Sequence, residues 1–294
     1  MPGRLRDLPL LIVGAGDSGQ RLARRWHAAG GGPVTALRRR IHDCPDLPGV
    51  HWLSFDLDAD APPPELPVGG VMVWLAPPPR QGREDERIRR HLPALLAAQQ
   101  PERLVLASTT GVYGPGNESG WTDEDSPLRP DSDRAWRRVS AERQAESMTA
   151  SAGVDLIRLR IAAIYGPGRL PLSRLRAAEP LSADLADRPG NRIHVDDLVS
   201  VLFQAALQGK GGGVYNVSDG HPQSFGAYLD ACADAFGLPR LPRDGQAEGD
   251  PAADFLRASR RIRADRMLRE LGVQLRFADM HDGIRASLAE PADA

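Results

Sequence analysis

Three glycines stand at the spacing G-x-G-x-x-G in Gly14-Ala15-Gly16-Asp17-Ser18-Gly19, directly after the apolar run Leu10-Leu11-Ile12-Val13. Their chemistry is the binding of an anion by bare backbone. Gly14 permits a tight turn, Gly16 lets the main chain approach a pyrophosphate with no Cβ between them, and Gly19 allows the next helix to pack closely on the strand. The free N–H groups and positive dipole end of that helix, at Asp17 and Ser18, then face the diphosphate. Arg38-Arg39-Arg40 closes the following extended stretch. NAD enzymes carry a carboxylate there for the ribose 2′-hydroxyl, whereas Arg38 and Arg39 suit a 2′-phosphate, so the dinucleotide expected is NADP rather than NAD. A third group consists of hydroxyls, Ser108-Thr109-Thr110, with Tyr113 close behind. A hydroxyl at a strand end can hydrogen-bond a substrate oxygen during hydride transfer. The competing use is to satisfy the backbone of a turn.

The elements that must position these groups read as strands alternating with helices. Extended segments are expected at 10–13, 34–37, 51–57, 70–76, 103–107, 158–165 and 214–217, and helices at 20–29, 83–96, from about 131, at 198–207, 225–236 and 281–288. Continuous apolar runs such as Val71-Met72-Val73-Trp74 fit strands buried on both faces. The pattern predicts an α/β fold: a Rossmann-type doubly wound parallel sheet with ligand at the carboxyl ends of the strands, and a small C-terminal α/β substrate lobe. Residues 1–168 form the dinucleotide-binding domain, with 191–217 returning to it, and 169–190 with 218–294 form the lobe. Asp56 and Leu57, where the third strand ends, suit an adenine ring through one carboxylate and one apolar side chain. Leu75 and Ala76, at the end of the fourth, suit passage of a ribose.

Composition excludes several other classes. A formal net charge of -2 over 294 residues gives no footprint for nucleic acid. Cys44 and Cys232 lie far apart with no metal-ligand spacing, so no metal site and no disulfide framework is expected. The first apolar run is too short for a membrane span, which places the protein in the cytoplasm with no membrane partner.

Taken in order, GAGDSG, Asp56-Leu57, STTGVYG, Thr122-Asp123-Glu124-Asp125-Ser126-Pro127, Arg158 to Gly168, Arg192-Ile193-His194-Val195-Asp196-Asp197-Leu198 and Tyr215-Asn216-Val217-Ser218-Asp219-Gly220 resemble the extended short-chain dehydrogenase/reductases, the NAD(P)-dependent epimerase/dehydratase group. The resemblance implies a nicotinamide-dependent oxidoreductase or epimerase, a Ser or Thr before the VYG tyrosine that orients the substrate, and a Tyr-x-x-x-Lys pair on the next helix. By position the hydroxyl is Thr109. Trp136 stands in the tyrosine's place and Ser140 in the lysine's, and a tryptophan N–H can donate but cannot relay a proton. This degeneracy is similar to that of the atypical members of the superfamily.

Tyr113 and Tyr165 are the phenols left to fill the role, and Arg137 or Arg138 could replace the lysine's charge. Asp131 and Asp133 read as helix-start acids, His194 as a structural histidine, and Asp196 or Asp197 as a helix cap. The excursion after Gly168 allows one small helix, too little to roof a whole nucleotide-sugar. Arg257 to Arg263 read as a solvated face paired with Asp265 and Glu270, or else as a cluster that meets a substrate phosphate or carboxylate, so the substrate expected is a small molecule, open to being anionic. A homodimer is allowed by family analogy alone. The rival to an enzyme is an NADP-binding sensor that does no redox chemistry.

Overall fold

Short apolar runs bounded by Gly, Pro and charge become seven strands: β1 (Leu10–Val13), β2 (Val34–Arg38), β3 (Val50–Ser54), β4 (Val71–Trp74), β5 (Arg103–Thr109), β6 (Asp155–Ile161) and β7 (Val214–Val217). The structure is a computed structural model and describes residues 5–115, 120–245 and 260–289. The strands pair in the order β7-β6-β5-β4-β1-β2-β3, all parallel. Strand order reverses between β1 and β4, which makes the crevice at their carboxyl ends the topological switch point.

Helices cover both faces, and the period-2 alternation of each strand divides its side chains between two cores. Leu10, Ile12, Val71, Val73, Val105, Ile157 and Leu159 share one core with α1 (Asp17–Ala28), which contributes Leu22, Ala23 and Trp26, and with Leu198, Val201 and Leu202 of a second helix on the same face. Leu11, Val13, Met72, Trp74, Leu104, Leu106 and Leu156 face the other side. There they meet α2 (Glu86–Gln99) and α3 (Asp133–Ala152). Further helices among the described residues are α4 (Leu172–Arg176), α5 (Ala183–Asp187), α6 (Val195–Gln208), α7 (Phe225–Ala235), α8 (Asp265–Leu271) and α9 (Met280–Ala289). A separate apolar cluster under α4, α5, α7 and α9 holds Leu175, Leu181, Leu185, Tyr228, Leu229, Cys232 and Ile284.

Several boundaries differ from expectation for local reasons. α1 begins at Asp17 rather than at residue 20, so the glycine turn leads straight into its first turn. β3 stops at Ser54, and Asp56 starts a tight turn in which its Oδ1 accepts the Asp58 N–H at 3.0 Å. Two small helices, α4 and α5, follow Gly168 where one was expected. α6 begins at Val195 because His194 caps it, its Nδ1 accepting the Asp196 N–H at 3.2 Å. The acids expected as caps work elsewhere. Asp196 pairs with Arg21 at 2.9 Å, and Asp197 accepts the N–H groups of Arg276 and Phe277 at 2.8 and 2.9 Å. Ser132 caps α3 through the Ala135 N–H, and Asp133 in its first turn pairs with Arg83 at 2.7 Å.

Candidate functional site

The turn after β1 is closed by backbone alone. The N–H groups of Gly14 and Ala15 both donate to Leu37 O, at 3.0 and 3.1 Å, and those of Leu75 and Ala76 both donate to Val13 O, at 2.8 and 3.0 Å. Leu75 and Ala76 thereby wrap the end of β4 over the end of β1. Gly14 has φ +87, and a Cβ there would fall 2.5 Å from Ala76 N, so a side chain is excluded by conformation and by space together. A Cβ on Gly19 would touch Ile12 at 3.1 Å, which sets the close approach of α1 to β1. At Gly16, by contrast, a Cβ would meet nothing within 4 Å, and no side chain caps the helix. Gln20 is the first residue to donate back along α1, to Gly16 O at 2.9 Å. The amides of the first turn therefore have no intrahelical partner and lie beside an open face. A dinucleotide diphosphate fits this cradle.

Asp17 puts a carboxylate at the same helix start, and two arginines neutralise it. Arg21 donates at 3.0 Å and Arg169 at 2.8 and 3.0 Å, with a further Arg169 bond to Ser18 Oγ at 3.3 Å. Partial burial raises the Asp17 carboxyl, but these hydrogen bonds outweigh it and hold the group below its ordinary value. At the end of β2, Arg38 contacts Cys44 Sγ at 3.5 Å, and Arg39 lies 3.8 Å from Asp58 and is more than half exposed. Leu57 accepts His91 Nε2 through its carbonyl at 3.1 Å, leaving its side chain beside the second core.

At the end of β5 the side chains are already engaged. Thr109 Oγ1 accepts the Gly111 N–H at 3.2 Å and caps a single 3-10 turn, Thr110–Tyr113. Ser108 donates to Glu142 at 2.5 Å, and Glu142 holds Arg160 at 2.8 Å. Arg160 reaches on to the Tyr113 hydroxyl at 2.9 Å, and that hydroxyl donates to Asn216 Oδ1 at 2.7 Å. Tyr113 is fully buried, and burial pushes its hydroxyl up to about 12. Tyr165 is also fully buried; its ring meets His194 edge-on at 5.2 Å, and a Cβ on Gly283 would fall 2.3 Å from its hydroxyl oxygen. Tyr113 is closed off by its partners, whereas Tyr165, buried and with no hydrogen-bond partner for its hydroxyl among the described residues, lines the small cavity beyond β6.

The register of α3 differs from the sequence alignment. Glu142 and Glu146, one turn apart, meet Arg160 and Arg158, two apart on β6, at 2.8 and 3.1 Å. Four helical residues rise about 6 Å and two strand residues about 6.7 Å, so the two ladders match. One turn earlier on the same stripe, Arg138 donates to Ala107 O at 3.0 Å. Burial lowers its guanidinium to about 10, which leaves it charged. Ser140 turns instead toward α2, where its hydroxyl accepts the Asp85 N–H at 3.3 Å, and half-buried Trp136 lies one turn before it. Arg137 is committed to Gly82 O at 2.6 Å. Arg138 is therefore the α3 cation that reaches the end of β5, and Ser140 belongs to the α2 side.

Sequence reasoning missed this network, Arg169 over the glycine turn, and buried Arg192. The basic cluster follows the solvated-face reading only in part, at Arg263, which lies 3.9 Å from Asp265. Arg257 and Ser259 lie outside the described residues, Arg260 is buried and donates to Gly114 O, and Arg261-Ile262 pairs in parallel with Trp121-Thr122. The described part of that cluster serves the fold. Two concavities stand out. The larger, about 570 Å³, lies between the C-terminal ends of α2 and α3, at the opposite edge of the sheet from the glycine turn. The other, about 170 Å³, lies beyond β6 and is lined by Tyr165, Arg169, Asn191, Arg192 and Tyr228. Among the described residues no cluster of His, Cys, Asp and Glu could hold a metal, and no helix is long and apolar enough to cross a membrane.

Comparison with known proteins agrees with this geometry. A model of the NAD dependent epimerase/dehydratase family matches residues 66–218. Among curated proteins, a dTDP-glucose 4,6-dehydratase from Streptomyces griseus is 28% identical over 206 aligned positions, covering 63% of this chain and 57% of that enzyme. The match thus spans little more than half of the relative. Among solved structures, a functionally unknown conserved protein from Silicibacter pomeroyi DSS superposes with TM-score 0.79 at 28% identity, covering 97% of this chain and 99% of that one. MoeE5 in complex with UDP-glucose and NAD gives 0.72 at 25%, covering 96% and 97%.

Proposed function

From a chain that belongs to the NAD dependent epimerase/dehydratase family, we propose an NADP-dependent oxidoreductase or epimerase-like protein of the atypical kind, acting on a small anionic molecule. The observation that carries this reading is the Gly14 turn, sealed against Ala76 on one side and open at Gly16 on the other. Gly14, Gly16, Ser18 and Gly19 would hold the diphosphate, with Asp17 neutralised by Arg21 and Arg169. Arg38 and Arg39 would take the 2′-phosphate, Asp56 and Leu57 the adenine, and Leu75 and Ala76 the ribose. The dinucleotide, when bound, supplies or accepts hydride.

The chain's own part is then limited. Thr109 would orient a substrate oxygen, and Arg138 would provide the positive charge that the family draws from lysine. Tyr113 supports the β5 end and relays no proton, and Trp136 packs. Residues 1–168 and 191–217 would serve the cofactor and 169–190 with 218–294 would form the substrate lobe, of which α8 packs into the core of the main sheet through Met267 and Leu271. Reduced thiols suit the cytoplasm, and a homodimer follows by analogy.

A second reading, an NADP-binding sensor without redox chemistry, is favoured by one observation: both candidate phenols are buried. Fluorescence titration tests the cofactor choice. Arg38→Ala with Arg39→Ala should weaken NADPH by about tenfold and leave NADH nearly unchanged, and equal losses would overturn the NADP assignment. Consumption of NADPH with any member of a carbonyl panel supports the enzyme, whereas binding without turnover supports the sensor.

A further inference from the structure

Arg192 is only 5% exposed, yet among the described residues no carboxylate oxygen comes within 4.0 Å of it. Its Nη1 donates to Gly190 O and Gln223 O at 3.4 Å each, and its Cζ lies 4.1 Å from the centroid of the Tyr228 ring. Other buried arginines are better served. Arg160 has Glu142 at 2.8 Å, and Arg137 has Gly82 O at 2.6 Å. A guanidinium does not shed its proton in a protein, so burial leaves a charge that calls for an anion or for close hydrogen-bond acceptors.

The space beside Arg192 is the cavity beyond β6, about 170 Å³ in volume. Its lining includes a second cation, Arg169, and no Asp or Glu. The Asn191 amide is already used, donating to Arg260 O at 2.9 Å and accepting the Ile262 N–H at 2.8 Å. Asp219 is the nearby buried acid, and its carboxylate accepts the His221 N–H of its own turn at 2.9 Å.

We infer that this cavity is an anion subsite in which the Arg192 guanidinium binds one carboxylate or phosphate monoester group of the substrate. Planar N–H forks suit such oxygens. Pockets for drug-sized ligands start near roughly 300 Å³, so the space takes a small anionic headgroup rather than a nucleoside diphosphate. The inference rests on reading the lobe as the substrate side of a cofactor-binding sheet. Arg169, tied to Asp17 at 2.8 Å, puts the same cavity in contact with the glycine turn.

Inorganic phosphate and acetate, each titrated into the full chain at constant ionic strength with and without saturating NADPH, provide the test. The readouts are melting temperature and the Arg192 Nε–H NMR signal, assigned with Arg192→Lys. A saturable shift with phosphate identifies a phosphate ester, and one with acetate a carboxylate. Arg192→Met should weaken the responding anion by about tenfold or more, the size of one lost charge-assisted bond. Arg169→Met, at a partly exposed position, should weaken it less and guards against a misfolded first variant. An Arg192 signal that neither anion moves, or unchanged affinity in Arg192→Met, overturns the subsite. If NADPH does not bind but the Arg192 signal still moves, the dinucleotide reading fails and the subsite stands.

Discussion

The ends of β1 and β4 offer backbone, whereas the ends of β5 and β6 offer side chains that already have partners. On the first side the contacts are amide to carbonyl, Gly14 excludes a side chain, and Gly16 opens onto free space. On the second, Ser108, Glu142, Arg160, Tyr113 and Asn216 form one buried chain of hydrogen bonds. The difference teaches where a ligand can be received without rearrangement. A cradle of unpartnered amides is preorganised for an anion, while a closed network is a fixed support that lends its rigidity to Thr109 and Arg138.

Breaking the network should cost most. Arg160→Met leaves the Glu142 carboxylate buried and unpaired, and chemical denaturation should report a loss of about 3–5 kcal/mol, largely restored by adding Glu142→Leu. A loss under about 1 kcal/mol would mean that the second side is as loosely held as a surface ion pair.

Acid should then sharpen the comparison through His194, on the filled side. Burial lowers its imidazole from 6.5 to about 4, so its contribution is intact above pH 6.5 and is lost as pH falls toward 4, about 3 kcal/mol in all. Asp219, raised by burial from 3.8 to about 7, acts with the opposite sign: its contribution is full below 3.8 and lost as pH rises through 7. The two partly cancel between pH 4 and 6.5. Urea unfolding across that window should show a steeper acid loss in Asp219→Asn and a shallower one in His194→Gln. Parallel profiles for both variants would contradict this account.

How much was legible follows the same division. The glycine turn and the apolar strands are local patterns, so β1, β2, β4 and β7 lie within about a residue or two of their expected ends, the ordinary scatter of such boundaries. The network joins residues far apart in sequence and leaves no local signature. One signal was available: Arg158 and Arg160 alternate within the otherwise apolar β6, and arginines on one face of a central strand require acids opposite, as Glu142 and Glu146 provide. The α3 alignment went astray for a rotational reason. A slip of two residues turns a helix by about 200°, which exchanges the Arg138 stripe for the Trp136 and Ser140 stripe. Short lobe helices were undercounted because segments of five residues carry too little periodicity to be read.

Gly16 gives the most direct measurement, since the turn tolerates a side chain there while a bound diphosphate would not. Gly16→Asp supplies a favourable helix N-cap and adds negative charge in the cradle. NADPH should raise the melting temperature of the unmodified chain, and Gly16→Asp should melt at or above the unmodified value yet show no NADPH shift. A melting temperature that neither NADPH nor NADH moves in the unmodified chain, or a full NADPH shift in Gly16→Asp, would contradict a dinucleotide at this turn.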